Sequence, residues 1–484
     1  MKQPNILVIV SDHHHPQMAG YLGHPHVRTP NLDALAAGGV AFTRAYCNCP
    51  VCGPARSCYM SGRYNFEIGH WSNGVPVPEN LPTWSKRLDA AGFDTTLLGK
   101  IDFPGKLEGA GFRNVRLSCR RGAFHPYPRP APEGLSVPGY RRAGSRRWLL
   151  EAGPAVPNGC HDPKRWYGQS CGLYDQDRAV TDWTLEYLDQ RGKEPDKPWA
   201  CHVGFEYPHW PYKVPQKYFD MYWPNNVDLP FDARFPNPDL PGACREFQQW
   251  NDFGEVTDEM LLRTRAAFYG MITCVDDMIG EIVNRLKAVG QYENTYVIYT
   301  TDHGDSMGEH GLFFKLSPME GSIGVPLLMR GPGVPAGRQI DTPVSLLDMY
   351  RTVLDIAGLA AEHEAHGASW LPLARGERDD AREVFCEYHG VGFRGAYYVL
   401  MRGDWKYTWY EYYPPTLYNL KDDPREMHDL AGDADQADRL KDFDRRLREI
   451  CDPIPVSNQA KKDSGLITPD GVDLTADKAL YGYE

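Results

Sequence analysis

Asn5-Ile6-Leu7-Val8-Ile9-Val10, closed by Ser11-Asp12-His13, is the stretch on which the reading of the fold turns. A continuous apolar, β-branched run of this length is expected of a strand buried on both faces of a parallel sheet. Its polar end falls where open α/β sheets gather ligands, outside the carboxyl ends of the strands. Three other segments repeat the pattern. Asp94-Thr95-Thr96-Leu97-Leu98 delivers Lys100, Trp199 to Phe205 leads to Pro208-His209, and Thr295 to Thr300 runs into Asp302-His303-Gly304-Asp305. Helix packing explains any one of these charged ends; four in the same position point to one site.

Between the strands, Thr29-Pro30 is expected to cap a helix through Leu32, Leu35 and Ala36, stopped by Gly38-Gly39, and a second helix spans Trp84 to Ala91. A third carries Val180, Trp183, Tyr187 and Leu188 on one face. A long one begins near Thr257, repeats apolar residues from Leu261 to Leu286 at helical spacing, and ends by Gly290; that stripe reads as core. Val325 to Met329 is a further strand and Val344 to Ile356 a further helix. The expected fold is therefore α/β, a mixed, mostly parallel sheet flanked by helices over residues 1–377. From about 378 the pattern changes to short aromatic strands, including Tyr397 to Leu400 and Trp405 to Trp409, with a helix near Asp435 to Ile450. This gives a smaller α+β subdomain over 378–450, built on a short antiparallel sheet. Residues 451–484 have little apolar pattern and read as an arm that needs a partner to be ordered. Arg120 to Gln169 and residues 213–255 are irregular and proline-rich, the first reading as a surface excursion that shapes a substrate pocket.

The 484 residues carry 42% hydrophobic and 24% charged side chains and a formal net charge of −12, the profile of a globular protein rather than a general binder of nucleic acid or anionic membranes. A local cationic pocket remains compatible with that charge. No run reaches the length of a membrane span, and Met1-Lys2-Gln3-Pro4 leads directly into the first strand without a secretion signal, so the expected compartment is the cytoplasm. Twelve scattered cysteines fit reduced thiols better than a disulfide framework. Cys47-Asn48-Cys49 lacks a matching downstream pair and reads as structural rather than as half of a metal knuckle.

Cys52-Gly53-Pro54-Ala55-Arg56, followed by Met60-Ser61-Gly62-Arg63, singles out one thiol. Pro54 suits the first position of a helix, which puts Cys52 at the helix mouth, where unpaired N–H groups and the positive dipole end favour a thiolate or a bound oxyanion. Arg56 reaches the same point from the next turn. A lone cysteine is more often buried filler, and the surrounding pattern reverses that reading. Asp12 and Asp302 supply hard oxygen ligands, each followed by a possible metal donor, which suggests one divalent cation. The structural alternative makes Asp12 a helix cap and His13-His14-His15 a solvated loop.

These residues together resemble the type I sulfatases, the formylglycine-dependent branch of the alkaline phosphatase superfamily, and are nearest in feel to choline sulfatases and phosphonate monoester hydrolases. The likeness rests on Cys52-x-Pro54-x-Arg56 with Gly62-Arg63, and on Arg28-Thr29-Pro30-Asn31-Leu32-Asp33, Leu98-Gly99-Lys100, Pro208-His209, Asp302-His303-Gly304, Lys315, Val325-Pro326-Leu327 with Gly331-Pro332-Gly333, and Leu417-Tyr418-Asn419-Leu420 with Asp423-Pro424. Ala55 stands where the family commonly has serine, and His13 where it has a second Asp or Gln. The resemblance implies an alkaline-phosphatase-like fold and conversion of Cys52 to formylglycine by a maturation enzyme. It also implies one divalent cation held by Asp12, His13, Cys52, Asp302 and His303. That ion would be calcium, with manganese as the alternative; a real His13 ligand shifts the balance towards manganese or zinc. Arg56 and Lys100 would hold the sulfate and the nucleophile, Lys315 a sulfate oxygen, and His209 the bridging oxygen of the leaving group. Asn73, in Trp71-Ser72-Asn73-Gly74, resembles a polar substrate contact, with loop capping as its structural alternative. Asp102 stands where sulfatases commonly have histidine. A carboxylate there repels sulfate unless it is protonated, paired with a lysine, or turned towards a cationic part of the substrate.

The implied reaction is hydrolysis of a small-molecule sulfate monoester. The alternative is phosphonate monoester or phosphodiester hydrolysis with the same nucleophile, and extra negative charge on a substrate would need cationic contacts that Asp102 does not provide. A non-catalytic anion-binding protein is the third reading, opposed by the joint presence of Cys52, Arg56, both lysines and the metal pairs. Abundant Trp and Tyr leave a quaternary ammonium, a sugar and an aryl ring all open as the alcohol half. The relatives' C-terminal tails suggest a homo-oligomer, a dimer or tetramer.

Overall fold

A computed structural model describes residues 2–118, 152–154 and 172–476, apart from 74, 104, 108, 252–254, 362–363, 391 and 468–469. The expected excursion over 120–169 lies outside the described residues except at 152–154. β1 (Asn5–Ser11) is buried along its whole length and lies inside the main sheet. It pairs in parallel with β6 (Trp199–Gly204) on one side and with β8 (Thr295–Thr301) on the other. β3 (Asp94–Gly99) and then β4 (Asn114–Arg116) extend the parallel set beyond β6. Beyond β8 the direction alternates, with β9 (Gly324–Arg330) antiparallel to it and β2 (Val40–Tyr46) antiparallel to β9. β10 (Arg338–Ile340) and β11 (Val344–Ser345) complete that edge in parallel with β2. β5 (Gly153–Pro154) and β7 (Lys213–Val214) form a separate parallel pair. The second sheet is wholly antiparallel, in the order β12 (Glu383–Tyr388), β13 (Tyr397–Arg402), β14 (Trp405–Tyr410), β15 (Thr416–Asn419). This is the mixed, mostly parallel architecture expected, with its smaller antiparallel sheet.

The two-sided burial of β1 shows directly in the cores. Ile6, Val8 and Val10 pack on one face with Tyr59, Trp84 and Tyr350 from α2 (Cys52–Ser61), α3 (Trp84–Ala90) and α6 (Asp348–Ala357). Leu7 and Ile9 pack on the other face with Val180 and Leu188 of α4 (Leu173–Lys193) and Phe268, Ile272 and Ile279 of α5 (Asp258–Ala288). α5 begins near Thr257 as expected, and the Thr257 side chain caps it by accepting from the Met260 N–H. The cap of α1 (Pro30–Ala37) differs from expectation. The Thr29 hydroxyl turns instead to Asp33, and Asp276 of α5 accepts from the N–H groups of Asn31 and Leu32 at 3.0 and 2.7 Å.

Other local expectations are corrected by the structure. Val344 to Ile356 is not one helix: Val344–Ser345 joins the sheet, and α6 begins at Asp348, whose carboxylate accepts from the Ser345 N–H at 3.1 Å. Residues 213–255 include a helix over Gly242–Asn251 that buries Cys244, Phe247 and Trp250. The arm expected beyond 451 folds on its own chain over the described part. α8 (Pro453–Asp463) follows α7 (Ala437–Ile450), and Lys461 on α8 binds Glu411 at 2.6 Å and Asp473 at 2.8 Å. Polar contacts supplement a narrow apolar face of Pro453, Val456 and Ala460, too slight for hydrophobic periodicity to show the helix.

The two sheets are joined by a buried charge cluster. Lys406 of β14, 1% exposed at its side chain, binds Glu320 at 3.0 Å and Glu426 at 2.7 Å, and Tyr46 of β2 donates to Glu320 at 3.0 Å. Removing the lysine strands Glu426, 2% exposed, away from water, while Glu320 at 26% keeps contact with solvent. Lys406→Met should cost about 3–5 kcal/mol in urea unfolding; a loss under about 1 kcal/mol would show that the carboxylates do not depend on the lysine.

Candidate active site

Four neighbouring parallel strands, in the order β8, β1, β6, β3, end on one edge of the sheet. Immediately beyond them stand Asp302 and His303, Asp12 and His13, Glu206 and His209, and Lys100. α2 brings Cys52 and Arg56 to the same edge. This helix starts at Cys52 itself, with Val51 as its N-cap, two residues before the start expected at Pro54. Pro54 still falls in the first turn, where its missing N–H costs nothing.

Arg56 is fully buried and ties the strand ends together. Its Nε donates to Asp302 at 2.9 Å, one Nη to Asp12 at 3.2 Å, and the other to the Lys100 carbonyl at 3.2 Å. Lys100 Nζ lies 2.9 Å from Asp12, 2.7 Å from Glu206 and 3.4 Å from Asp102. Of the three arrangements left open for Asp102, the structure shows pairing with a lysine. Asp102 adopts φ = 58°, an uncommon backbone conformation for a residue with a side chain.

Cys52 Sγ receives a hydrogen bond from Lys315 Nζ at 2.7 Å, and His303 Nε2 lies 3.4 Å from it. Burial and Asp12 push this thiol up, but Lys315 and His303 outweigh them and bring it down to about 7. Burial instead pushes Cys47, Cys49 and Cys58 up. Despite burial, Asp12 is held well below the usual carboxylate range, chiefly by Lys100.

His13, His14 and His15 are buried rather than forming a solvated loop, and only the first faces the centre. His14 is occupied by Tyr299 and the Met18 carbonyl, and His15 by Glu309. His13, at φ = 70°, donates through Nδ1–H to Asp305 at 3.0 Å. Tyr212 and the N–H groups of Met307 and Phe314 hold that carboxylate in place. Burial keeps His13 neutral, and its Nε2 is buried without a hydrogen-bond partner. A lone pair left so, with the other nitrogen fixed by a carboxylate, is the arrangement of a metal-bound imidazole. Donor atoms of Asp12, Cys52, Asp302 and His303 all lie within 4.8 Å of one another, as do those of Asp12, His13, Cys52 and His209. The donor set therefore fits a cation.

His209 is half-buried, its Nδ1–H bound to the Trp210 carbonyl and its ring 4.3 Å from that of His13. Dehydration pulls it down to about 3, so it is neutral in the free site. Asn73 accepts from the Gly53 N–H at 2.8 Å, so it caps α2. The structure thus gathers Asp12, His13, Cys52, Arg56, Lys100, Asp102, His209, Asp302, His303 and Lys315, with Asn73 one residue removed at Gly53. Sequence reasoning missed Glu206 and gave Asp305 no role; their only signal was position, just beyond β6 and β8.

A family model described as Sulfatase matches residues 4–359, and one described as N-sulphoglucosamine sulphohydrolase, C-terminal, matches 308–452. A choline-sulfatase from Rhizobium meliloti (strain 1021) is 30% identical over 455 residues, covering 90% of this chain and 84% of that protein. Arylsulfatase K from Danio rerio is 30% identical over 482 residues, covering 95% and 86%. The crystal structure of a phosphonate monoester hydrolase from Agrobacterium radiobacter superposes with a TM-score of 0.71 at 25% identity, covering 97% of this chain and 99% of that one. The chain belongs to the sulfatase family, within the alkaline-phosphatase-like superfamily, and is a hydrolase of sulfate esters.

Asp305, bound to His13 at 3.0 Å, would act on a cation through that histidine. Asp305→Asn should weaken manganese binding about 10–100-fold in equilibrium dialysis. Unchanged affinity would place His13 outside the coordination sphere.

Proposed function

We propose that the chain cleaves a small-molecule sulfate monoester with formylglycine at position 52 as nucleophile and one divalent cation beside it. The observation that carries this is the convergence of Lys315 and His303 on Cys52 Sγ, at 2.7 and 3.4 Å. After conversion by a maturation enzyme, that sulfur's place is taken by the two geminal hydroxyls of the hydrated aldehyde. Asp12, His13, Asp302 and His303 would hold the cation together with position 52. Two imidazoles among the donors favour manganese over calcium. When bound, the ion assists ionisation of a hydroxyl there and offsets negative charge.

The ionised hydroxyl oxygen forms a bond to sulfur as the opposite S–O bond breaks, and that electron pair leaves with the alcohol. Arg56, Lys100 and Lys315 would stabilise the charge on the non-bridging oxygens. His209 keeps Nδ1–H on the Trp210 carbonyl, so Nε2 is the atom that moves a proton to the leaving oxygen. It is neutral in the free site, and the negative charge of a bound sulfate favours its protonation. The second hydroxyl then gives up its proton, its electron pair closes the C=O bond, and the C–O bond to sulfate breaks. This regenerates the aldehyde and frees sulfate without attack by water at sulfur.

The second reading, a phosphonate monoester hydrolase with the same nucleophile, is favoured by the superposition on the Agrobacterium enzyme. Against it stand the choline-sulfatase and arylsulfatase K relatives, each 30% identical over most of the chain. The described cysteines are all free and buried, which suits a reducing compartment such as the cytoplasm. Among the described residues, no helix is long and apolar enough to cross a membrane. A homo-oligomer remains part of the proposal.

The deciding test is kcat/KM for an aryl sulfate against the matching aryl phosphonate monoester, on manganese-loaded protein with conversion of Cys52 measured by mass spectrometry. Preference for the sulfate is expected, and preference for the phosphonate would make the second reading correct. His209→Ala should lower turnover of alkyl sulfates about 10²–10⁴-fold and of activated aryl sulfates much less. Equal losses for the two would remove the proton-donor role.

A further inference from the structure

Val51, the N-cap of the nucleophile helix, offers no capping side chain. A helix start without one leaves its first N–H groups in need of partners. Here the partner comes from twenty residues away, through Asn73 on the Gly53 N–H at 2.8 Å. His70, in the same turn, meets the Ser57 hydroxyl at 3.1 Å. A Cβ at Gly53 would lie 3.0 Å from the His70 ring and 3.1 Å from the Asn73 oxygen. The 70–73 turn therefore lies directly on the first turn of α2.

That turn is itself held from outside the main sheet. Trp71, between its two contact residues, is buried and donates its indole N–H to Asp463, the last residue of α8, at 2.8 Å. Its ring and that of His389 meet edge to face with centroids 4.9 Å apart, and His389 is fixed by Glu387 at 2.7 Å. Lys461 anchors α8 to Glu411, Asp473 and the Tyr412 hydroxyl.

We infer that Trp71 and Asp463 are positioning residues for the sulfatase reaction: the C-terminal helix fixes the turn that caps the nucleophile helix and so sets the place of residue 52. Neither side chain touches the reacting atoms. The inference rests on position 52 being the nucleophile, and its test includes a readout that needs no substrate.

Trp71→Phe keeps an aromatic ring but removes the hydrogen bond together with part of the indole, Asp463→Ala removes the acceptor, and Asp463→Asn retains an acceptor oxygen and so isolates the bond. Misplacement of a reacting group by less than 1 Å costs on the order of 10-fold. With kcat on an aryl sulfate expressed per formylglycine, Trp71→Phe and Asp463→Ala should each lose about that factor, while KM changes less than about twofold. Asp463→Asn should recover most of the loss. In an Asn73→Ala background, Asp463→Ala should have no further effect, because both act through the Gly53 N–H. Without substrate, the peptide that contains Gly53 should exchange its amide hydrogens faster in Asp463→Ala than in the parent. Faster exchange supports the coupling even if sulfate esters prove not to be substrates. Unchanged exchange, additive losses with Asn73→Ala, or kcat losses that Asp463→Asn does not recover would each overturn it.

Discussion

Burying Asp12 as a carboxylate is the constraint to which the rest of the centre answers. An isolated buried carboxylate is too costly to persist, and here Arg56 and Lys100 share it at 3.2 and 2.9 Å. Each cation then needs further anions of its own, which Asp302 supplies to Arg56 and Glu206 and Asp102 supply to Lys100. The pairs reach across β8, β1, β6 and β3 and the mouth of α2, so they work only if those elements keep their order and register. Ion clusters of this kind add little net stability. Their presence at the strand ends is better explained by what they arrange than by what they hold together.

Much of this arrangement could be read in the sequence because it obeys local rules. Two-sided apolar strands announce a parallel sheet, parallel strands gather ligands at their carboxyl ends, and the residues there include Asp12, His13, Lys100, His209, Asp302 and His303. Cys52 was legible from a proline-bearing helix start and the family pattern around it. The contacts that escaped are those made by side chains reaching across long stretches of chain. Asp276 caps α1 from 245 residues away, Asn73 caps α2 from 20, and Asp305 meets His13 across 292. No periodicity encodes such pairs. α8 was illegible for a related reason, since Lys461 and Asp463 dock it through polar contacts and a polar helix looks like a tail.

His13 shows how a departure from a family pattern gains meaning only in three dimensions. As a substitution it could have been a surface histidine in a run of three. Buried, neutral, in a left-handed backbone conformation and braced by Asp305, it presents one nitrogen to the carboxylates. Backbone conformations of this sort persist where the surroundings over-determine them, and here the over-determination comes from Asp305, itself held by Tyr212 and two backbone N–H groups. The donor set is thereby made softer than one of oxygens alone, which bears on the ion the centre prefers.

The cations of the site are already engaged before a substrate arrives. Arg56 is held between Asp12 and Asp302, Lys100 among three carboxylates, and Lys315 faces position 52. A sulfate entering such a site meets positive charge that is largely neutralised, so these side chains alone are weak bait for an anion. A divalent ion held by Asp12 and Asp302 would change that balance, because it would draw on those carboxylates and leave Arg56 and Lys100 freer to turn their donors to a substrate. Metal and sulfate binding are then coupled through the same two carboxylates, and each should favour the other. Asp102 and Glu206, at 3.4 and 2.7 Å from Lys100, would limit how far that lysine could be released, an arrangement suited to a singly charged ester rather than to a more highly charged phosphate.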